Sequence, residues 1–268
     1  MGIENHLLEG VRFEKTQNLG GEIEPEYLVI HYTVVTTAAA TVAAFKNPAV
    51  RASAHLVLDV DGTFIQMVPF NRKAWHAGKS SWAGRDGCND FTIGIEVVNP
   101  GPLNRRGSSY LDVNNRAWNG AVVKARHKNG RAPWDYWAAY DPRQLDALRE
   151  VGPSIVVAYG LKDVVGHDDI APGRKTDPGP AFPLSSVRAS LLGRAEDGPA
   201  DSGADRYITT TILNVRKGPA VSFDTVPGSP LAKGREVEML AEDGAWRHVV
   251  TLDAAVEGWA HGRFLIRA

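Results

Sequence analysis

The chain has 268 residues, a length that fits one large domain or two unequal domains. It carries 30 Lys and Arg residues against 31 Asp and Glu residues, a net charge of −1, which excludes a protein that binds nucleic acid through a broad basic surface. Hydrophobic residues make up 43% of the chain and charged residues 23%, an ordinary globular composition that excludes wholesale disorder.

Apolar runs between residues 26 and 68 predict a strand, a helix and a hairpin, in that order. Tyr27–Thr33 is an apolar, β-branched run that predicts a buried strand, and the Ala-rich run Thr36–Phe45 predicts a helix. Two further apolar runs, Ala54–Val60 and Thr63–Val68, flank Asp61-Gly62. Because Asp-Gly is a favoured two-residue turn, this segment predicts a β-hairpin.

Residues 91–140 combine a strand with a long segment of mixed composition. Phe91–Val98 predicts another buried strand, which ends at Asn99-Pro100-Gly101. Residues 100–140 contain seven Lys and Arg and two Asp and Glu, a local charge of +5. We predict that residues 99–140 form a long functional loop or insertion with little regular structure. Its positive charge either attracts an anionic ligand or belongs to a solvated surface. Its tryptophans either pack it against the body of the protein or line a groove. These tryptophans are Trp118, Trp134 and Trp137.

Residues 141–193 predict two helices separated by a short strand. Asp141-Pro142 is typical of a helix N-terminus, with Asp as the N-cap and Pro at the first position. Gly152-Pro153 must break or kink that helix. Val164-Val165 predicts a short strand that leads into Gly166-His167, and Leu184–Leu192 predicts a closing helix.

A change in composition at residue 194 divides the chain into two predicted domains. Residues 194–206 are small, polar and acidic, which is typical of a linker. Closely spaced turn signals after this segment, among them Pro227-Gly228 and Asp243-Gly244, predict a small all-β barrel. The predicted domains are therefore 1–193 and 207–268, joined by the linker.

Two histidines and an aspartate are candidate metal ligands. His31 ends the first buried strand, His167 directly follows the strand at 164–165, and Asp177 lies ten residues further on. Imidazole and carboxylate groups both bind Zn²⁺, and catalytic zinc sites keep three protein ligands and an open position for water. Taken singly, each of these residues is more often structural than functional. The lone Cys88 excludes Cys-pair zinc motifs, and the three-residue set is complete without it.

The segment around the candidate ligands resembles a known family. Residues 165–179 read VGHDDIAPGRKTDPG, preceded along the chain by IHYT at 30–33, SAHLVLDVDG at 53–62, AWHAG at 74–78 and GIEVVN at 94–99. Together these motifs resemble the zinc-dependent N-acetylmuramoyl-L-alanine amidases of the type 2 family, which includes the phage lysozyme-like amidases and the peptidoglycan recognition proteins. The resemblance covers about residues 26–190. It implies an α/β fold in which a mixed β-sheet is flanked by helices, with zinc at the floor of a groove.

The resemblance also implies roles for single residues. His31, His167 and Asp177 match the three zinc ligands. Glu96 matches the general base, which would take the proton of an activated water and deliver it to the leaving amine. Lys175 matches the catalytic lysine, whose charge would stabilise a developing oxyanion.

Glu96 lies mid-strand among apolar residues, so we expect it to be partly desolvated with a raised pKa. The alternative is that Glu96 lies on a solvated strand face and pairs with an arginine. Four further residues are expected to line or support the site or to bind substrate. They are His55, Trp75, His76 and Arg174.

The C-terminal segment resembles the bacterial SH3-like domains. It contains LNVRKGPA at 213–220 and GWAHGRFL at 258–265, which match the start and the end of that domain's pattern. Such domains often bind cell-wall peptides. The alternative is a solely structural role, in which the segment packs on the catalytic domain.

These interpretations together predict a Zn²⁺-dependent peptidoglycan hydrolase. It would cleave the amide between N-acetylmuramic acid and the L-alanine of the stem peptide, with peptidoglycan or muropeptides as its partners. One alternative is a non-catalytic peptidoglycan-binding receptor of the same fold, although such receptors commonly lack part of the ligand set. Another is a hydrolase of the same chemistry that acts on a different acyl-amino acid.

The N-terminus lacks a basic start followed by an apolar core, and no apolar run approaches the roughly 20 residues of a membrane span. We therefore expect synthesis in the cytoplasm without a Sec signal peptide, and no membrane insertion. Action on the cell wall would then need release by lysis, as for a phage endolysin, or specialised export. The alternative is wall recycling in the cytoplasm, which ranks last because recycling enzymes act on soluble fragments and have little use for a wall-binding tail.

Overall fold

A computed structural model of the chain describes residues 1–129, 132–193, 206–252 and 255–267. Its helices are α1 (Ala38–Lys46), α2 (Pro142–Tyr159), α3 (His167–Ile170) and α4 (Leu184–Leu192), with short 3-10 turns at Cys88–Asp90 and Gly262–Phe264. The strands form three larger sheets and three two-stranded ribbons. The ribbons pair Ile3–Glu4 with Leu7–Leu8, Leu19–Glu22 with Arg72–Ala74, and Ser81–Trp82 with Arg85–Asp86. None of the helices described is long and apolar enough to cross a membrane.

A six-stranded mixed sheet, here called the main sheet, lies at the centre of the N-terminal part of the chain. Its strands are, in spatial order, Asp163–Gly166, Tyr27–Tyr32, Thr92–Val97, Leu56–Leu58, Phe64–Gln66 and Arg12–Phe13. The first four strands in that order pair in parallel, and the next pair is the antiparallel hairpin. The mixed sheet with flanking helices that the resemblance implied is therefore confirmed.

The two faces of the main sheet are packed differently because side chains alternate along each strand. Leu28 and Ile30 face one side, where they pack with residues of α2 and α4 in the largest apolar cluster. Val29 faces the opposite side, and Val57 on that same side packs with α1. The residue after Ile30 is His31, which the alternation directs to the α1 side. The candidate ligands are thus kept apart from the main apolar core.

Most elements predicted between residues 26 and 193 are confirmed within two residues at each end. The Thr-led helix is α1, where the Thr37 hydroxyl caps the N-terminus by accepting from the Ala40 N–H at 3.3 Å. The Asp-Gly hairpin is present, with Gly62 at φ +89° in the turn. Asp141 caps α2, with Pro142 at the first position as expected.

Gly152-Pro153 was predicted to break or kink the second helix, and the predicted break is wrong, since α2 runs through the pair. Leu148 and Ile155, on either side of the pair, are both buried in the main core. Gly152 lies so close to α4 that an added Cβ would sit 2.4 Å from Leu191 Cγ. Packing of both halves against α4 and the sheet therefore offsets the one helix hydrogen bond that proline removes.

The prediction that residues 99–140 carry little regular structure is also wrong. Five antiparallel strands form a second sheet, the insertion sheet, in the spatial order Ala117–Trp118, Ser109–Asp112, Pro102–Arg106, Tyr136–Ala138 and Val122–Lys124. Each strand has only two to five residues, too few to show alternation in the sequence. Trp137 is 1% exposed and donates its indole N–H to the Ala125 carbonyl at 3.0 Å, so this tryptophan pins the sheet. Trp118 and Trp134 remain half-buried.

A third sheet, the C-terminal sheet, confirms that the end of the chain is all-β. Its antiparallel strands are, in spatial order, Glu257–His261, Trp246–Thr251, Glu236–Asp243, Arg206–Thr209 and Leu265–Arg267. Trp259 and Ala241 of this sheet are buried against Val123 of the insertion sheet. The predicted linker lies, except for its last residue, outside the described residues, and the domain boundaries stay a prediction.

Candidate active site

The parallel strands bring three of the predicted site residues to one edge of the main sheet. His31 and Glu96 are the penultimate residues of neighbouring strands and stand opposite each other in the ladder. His167 directly follows the adjoining strand at Gly166 and begins α3. Because the carboxyl ends of parallel strands meet at one edge, residues far apart in sequence converge there.

Asp177 joins the two histidines to form a compact cluster of donor atoms. His31 Nδ1 lies 2.9 Å from His167 Nδ1, and Asp177 Oδ2 lies 2.9 Å and 2.8 Å from these two nitrogens. All three residues are buried, with exposed fractions of 1%, 3% and 6%. The Asp177 carbonyl accepts from the Asp168 N–H at 2.8 Å, which closes the loop between the second and third candidate ligands.

The hydrogen bonds around this cluster test whether it fits a metal ion. His167 Nε2 lies 3.1 Å from the Ala77 carbonyl, which can only accept, so Nε2 carries the proton. The Nδ1 atom is then the ring nitrogen that His167 turns toward the Asp177 carboxylate, 2.8 Å away. Burial, and next the neighbouring His167, lower the pKa of His31 to about 4, so its ring is neutral at pH 7. Two imidazole nitrogens and a carboxylate oxygen that converge in this way suit Zn²⁺.

Glu96 lies beside the cluster in an environment that favours its protonated form. Burial, and next the negative charge of Asp177, raise the pKa of Glu96 well above its usual value, while Lys175 opposes the shift. Its Oε2 atom is buried and has no hydrogen-bond partner among the described residues. The described part of the chain also shows no ion pair between Glu96 and an arginine, so the geometry favours the desolvated Glu96 over the alternative of a solvated, paired one.

Lys175 lies close enough to act on the site electrostatically. Its positive charge lowers the pKa of Glu96 and contributes to lowering that of His31. The side chain is half-buried, and its backbone N–H donates to the Ala171 carbonyl at 3.1 Å. The neighbouring Thr176 hydroxyl is 2.6 Å from the Tyr32 hydroxyl, which links this loop to the end of the strand Tyr27–Tyr32.

His55 and Trp75 lie near the cluster without joining it. The Gly94 N–H donates to His55 Nδ1 at 3.0 Å, and His55 Nε2 donates to the Arg72 carbonyl at 2.9 Å. Because backbone groups use both ring nitrogens, His55 holds three segments together and has no lone pair for a metal. Trp75 is 40% exposed, and the Lys73 ammonium lies 5.1 Å from the centre of its ring.

Arg174 fastens the loop that follows His76 to the loop between the candidate ligands. Its Nη2 donates to the carbonyls of Ala77 and Lys79, each at 2.7 Å. Of the two roles expected for Arg174, these contacts match the structural one. His76 itself lies over Gly94 of the main sheet, with its Nδ1 2.9 Å from His31 Nε2.

Three polar residues around His76 and Tyr32 were missed by sequence reasoning. Thr92 contacts His76, Asn89 accepts from the N–H groups of His76 and Ala77 at 3.0 Å and 2.8 Å, and Thr176 contacts Tyr32. A polar residue at the start of an otherwise apolar strand was the one available signal for Thr92. The contacts of all three span more than ten residues, so no local pattern reveals them.

Comparison with known proteins assigns the chain to a family. The model of the family described as N-acetylmuramoyl-L-alanine amidase, Amidase_2, matches residues 21–180, which is more than half of the chain. The chain therefore belongs to this family. The matched residues include every strand of the main sheet except Arg12–Phe13, together with all the candidate site residues.

Curated relatives and a solved structure extend this assignment. The 1,6-anhydro-N-acetylmuramyl-L-alanine amidase AmpD of Escherichia coli K12 is 36% identical over 140 residues, which are 52% of this chain and 57% of AmpD. The N-acetylmuramoyl-L-alanine amidase AmiD of the same strain is 36% identical over 135 residues, 49% of this chain and 39% of AmiD. The chain thus spans about half the length of the curated relatives it matches. A crystal structure of a selenomethionine derivative of AmpD shares the fold, with a TM-score of 0.52 and 26% identity over 72% of this chain and 98% of that one.

Proposed function

We propose that this protein is a zinc-dependent N-acetylmuramoyl-L-alanine amidase that cleaves the amide between N-acetylmuramic acid and the L-alanine of the stem peptide. The observation that carries the proposal is the cluster of His31, His167 and Asp177 beside an unpartnered Glu96 carboxylate, in a chain of this family. A complete donor set argues against the non-catalytic receptor.

In the proposed mechanism the two histidines and Asp177 would hold Zn²⁺, which when bound would supply a Lewis acid able to acidify water and polarise a carbonyl. Glu96 would act in its carboxylate form, which the positive charges of Lys175 and of a bound Zn²⁺ favour over the protonated form. It would take the proton from the attacking water and deliver it to the leaving amine. Lys175 offers a positive charge to the oxygen on which negative charge develops. Burial of the cluster strengthens each of these electrostatic interactions.

For the substrate we propose soluble muropeptides that carry 1,6-anhydro-N-acetylmuramic acid. The name of AmpD, the curated relative described above, supports this class of substrate, and AmpD-like action would match the alternative of wall recycling in the cytoplasm. The second candidate is intact peptidoglycan, reached through lysis or export. The likeness of residues 207–268 to the SH3-like domains favours it, because a wall-binding domain has little use on soluble fragments.

The role of the C-terminal sheet bears on this choice. Trp259 is buried against the insertion sheet, and Arg149 of α2 donates to Glu257 at 3.0 Å. These contacts support a domain of SH3-like type that packs on the catalytic part as a structural unit, in preference to one that is tethered loosely for wall binding.

The test compares products from intact sacculi with products from a soluble anhydro-muropeptide by mass spectrometry, alongside the zinc content of the purified protein. We expect release of the stem peptide with a free L-alanine amine from the soluble substrate, and about one zinc per chain. Intact sacculi as the better substrate would favour the second candidate. Binding without cleavage of either would favour the receptor.

Glu96→Gln tests the catalytic assignment, with Glu238→Gln as its matched control. Glu238 is a strand glutamate of the C-terminal sheet, 4% exposed, whose pKa burial also raises. We expect Glu96→Gln to keep zinc and lose about 10²–10⁴-fold in turnover, the range for a general acid–base group, whereas Glu238→Gln keeps turnover. Full turnover in Glu96→Gln would contradict the role of Glu96.

A further inference from the structure

A series of buried hydrogen bonds connects Thr92, the first residue of a main-sheet strand, through His76 to His31, the first candidate ligand. The Thr92 hydroxyl donates to the Cys88 carbonyl at 2.7 Å and lies 3.2 Å from His76 Nε2. His76 Nδ1 in turn lies 2.9 Å from His31 Nε2. The three polar side chains are at most 9% exposed, so water does not compete for these bonds.

The carbonyl at the end of this series fixes the direction of every proton in it. A carbonyl oxygen only accepts, so the Thr92 hydroxyl proton is committed to Cys88 and the hydroxyl oxygen offers a lone pair to His76. His76 Nε2 therefore carries a proton, and the Nδ1 atom of the neutral ring accepts. It follows that His31 donates from Nε2 and that its Nδ1 lone pair is directed at His167 and Asp177.

We propose that Thr92 and His76 are positioning residues that fix the tautomer and the ring orientation of His31, so that Nδ1 is presented to the metal ion. The inference rests on the proposed function, because it assumes that the cluster binds zinc. It assigns to Thr92 a role that the motif does not suggest. It also makes His76 a hydrogen-bond acceptor for a ligand, which is more specific than support of the site.

Two independent features hold the His76 ring in place for this role. The ring lies over Gly94, where an added Cβ would sit 2.5 Å from His76 Cγ and 2.6 Å from its Nδ1. A larger residue at position 94 would therefore displace the ring. On the backbone side, Asn89 Oδ1 accepts from the N–H groups of His76 and Ala77, which fixes the chain at the same point.

The second histidine of the cluster is fixed in a different way. His167 Nε2 donates directly to the Ala77 carbonyl, a backbone group that mutation of a side chain leaves in place. The orientation of His31 depends instead on two side chains, because His76 contacts His31 and Thr92 in turn contacts His76. Substitution of Thr92 should therefore affect the metal site through His31 and leave the hydrogen bond of His167 unchanged.

The test measures the zinc affinity of the full chain by competition with a chromogenic chelator. Thr92→Val keeps the shape of the side chain and removes the hydroxyl, whereas Thr92→Ser keeps the hydroxyl. We expect Thr92→Val to bind zinc about 10- to 100-fold more weakly, the range for groups that orient metal ligands, and Thr92→Ser to restore most of the affinity. His76→Leu and His76→Asn form a second pair, since the Asn Oδ1 atom can accept from His31 where Leu cannot.

Nitrogen-15 NMR of the histidine rings in the zinc-loaded protein provides a readout that a merely structural role would not change. We expect the proton of His76 on Nε2, and a non-protonated Nδ1 that accepts from His31. A proton on His76 Nδ1, or equal zinc affinity in Thr92→Val and the wild type, would overturn the positioning role of Thr92 and His76. This holds even if the wild type binds zinc and cleaves its substrate. A wild-type protein that binds no zinc would instead overturn the proposed function, and the positioning role of Thr92 and His76 with it.

Discussion

The main sheet and the C-terminal sheet both bury titratable side chains, but they arrange them differently. At the carboxyl ends of the parallel strands of the main sheet, three donor atoms of His31, His167 and Asp177 converge within 2.9 Å of one another. In the C-terminal sheet the ring of His248 stacks on Trp259 at 5.1 Å, and its Nε2 lies 3.7 Å from Glu257, too far for a hydrogen bond.

The comparison shows that burial of a titratable group does not by itself identify a functional site. Burial lowers the pKa of His248 to about 4, as it does for His31, and it raises the pKa of Glu257 as it does for Glu96. Shifted pKa values occur in both sheets, so they cannot discriminate between them. What distinguishes the site beside the main sheet is the convergence of three metal-binding atoms, from His31, His167 and Asp177, within 2.9 Å of one another.

The largest expected effect comes from replacing a histidine of the candidate cluster, compared with replacing a histidine of the C-terminal sheet. His167→Gln removes one of three ligands, so zinc affinity should fall by more than the roughly 10- to 100-fold that changes around a ligand cost. His248→Gln removes a largely buried histidine, with a side chain 17% exposed, from the C-terminal sheet and should leave the zinc affinity unchanged. Equilibrium dialysis against buffered zinc measures both. Equal zinc loss in the two variants would show that the cluster is not the metal site.

The main sheet and the insertion sheet differ in how readily they could be predicted from the sequence. The strands at 27–32, 92–97 and 163–166 were predictable because each is mostly apolar and mostly buried on both faces. The insertion sheet was not, because its strands of two to five residues are too short for any periodicity. Gly152-Pro153 misled for another reason, since packing on Leu191 outweighs the local helix-breaking signal.

For the candidate site, the motif predicted which residues are present but not how they are held. His31, His167 and Asp177 were identified from conspicuous residue types in a specific order. Thr92 was not, since its role depends on a contact with His76 that only the folded chain creates. The same limit applies to Arg149 and Glu257, which are 108 residues apart and meet only when the C-terminal sheet packs on α2.

Arg149→Ala would test how firmly the C-terminal sheet is attached to the rest of the molecule. The substitution leaves Glu257, whose side chain is 15% exposed, without its partner at 3.0 Å. We expect a loss of about 1–3 kcal/mol in the free energy of unfolding, the cost of an unsatisfied buried group. Urea denaturation measures the loss, and Glu257→Gln in the same chain should recover part of it. If Arg149→Ala leaves stability unchanged, the contact does not hold the two parts together.

Glu96→Gln and Glu238→Gln should change the pH dependence of stability in the same direction in both sheets. Each carboxyl has a raised pKa in the folded state, so the unfolded state loses its proton first as the pH rises. Wild-type stability therefore falls from about pH 4.3, the ordinary glutamate pKa, up to the raised value, and each Gln variant removes one such contribution. Melting of metal-free protein should show each variant matching the wild type at low pH and exceeding it at neutral pH. A variant that gains stability at low pH instead would contradict the sign.

The smallest expected effect concerns the segment where the insertion sheet contacts the loop after His31. Val34 has φ +62°, a left-handed conformation that strains a β-branched residue, and its side chain is 36% exposed. Its N–H donates to the Asn99 carbonyl at 3.1 Å, and its own carbonyl accepts from Arg116 at 3.4 Å, so hydrogen bonds hold the strained backbone. Val34→Asn should raise the free energy of unfolding by about 0.5–1 kcal/mol, because asparagine tolerates this conformation. Val34→Ala, which relieves less of the strain, is the control. If Val34→Asn destabilises the protein, apolar contacts of the valine side chain contribute more than the strain costs.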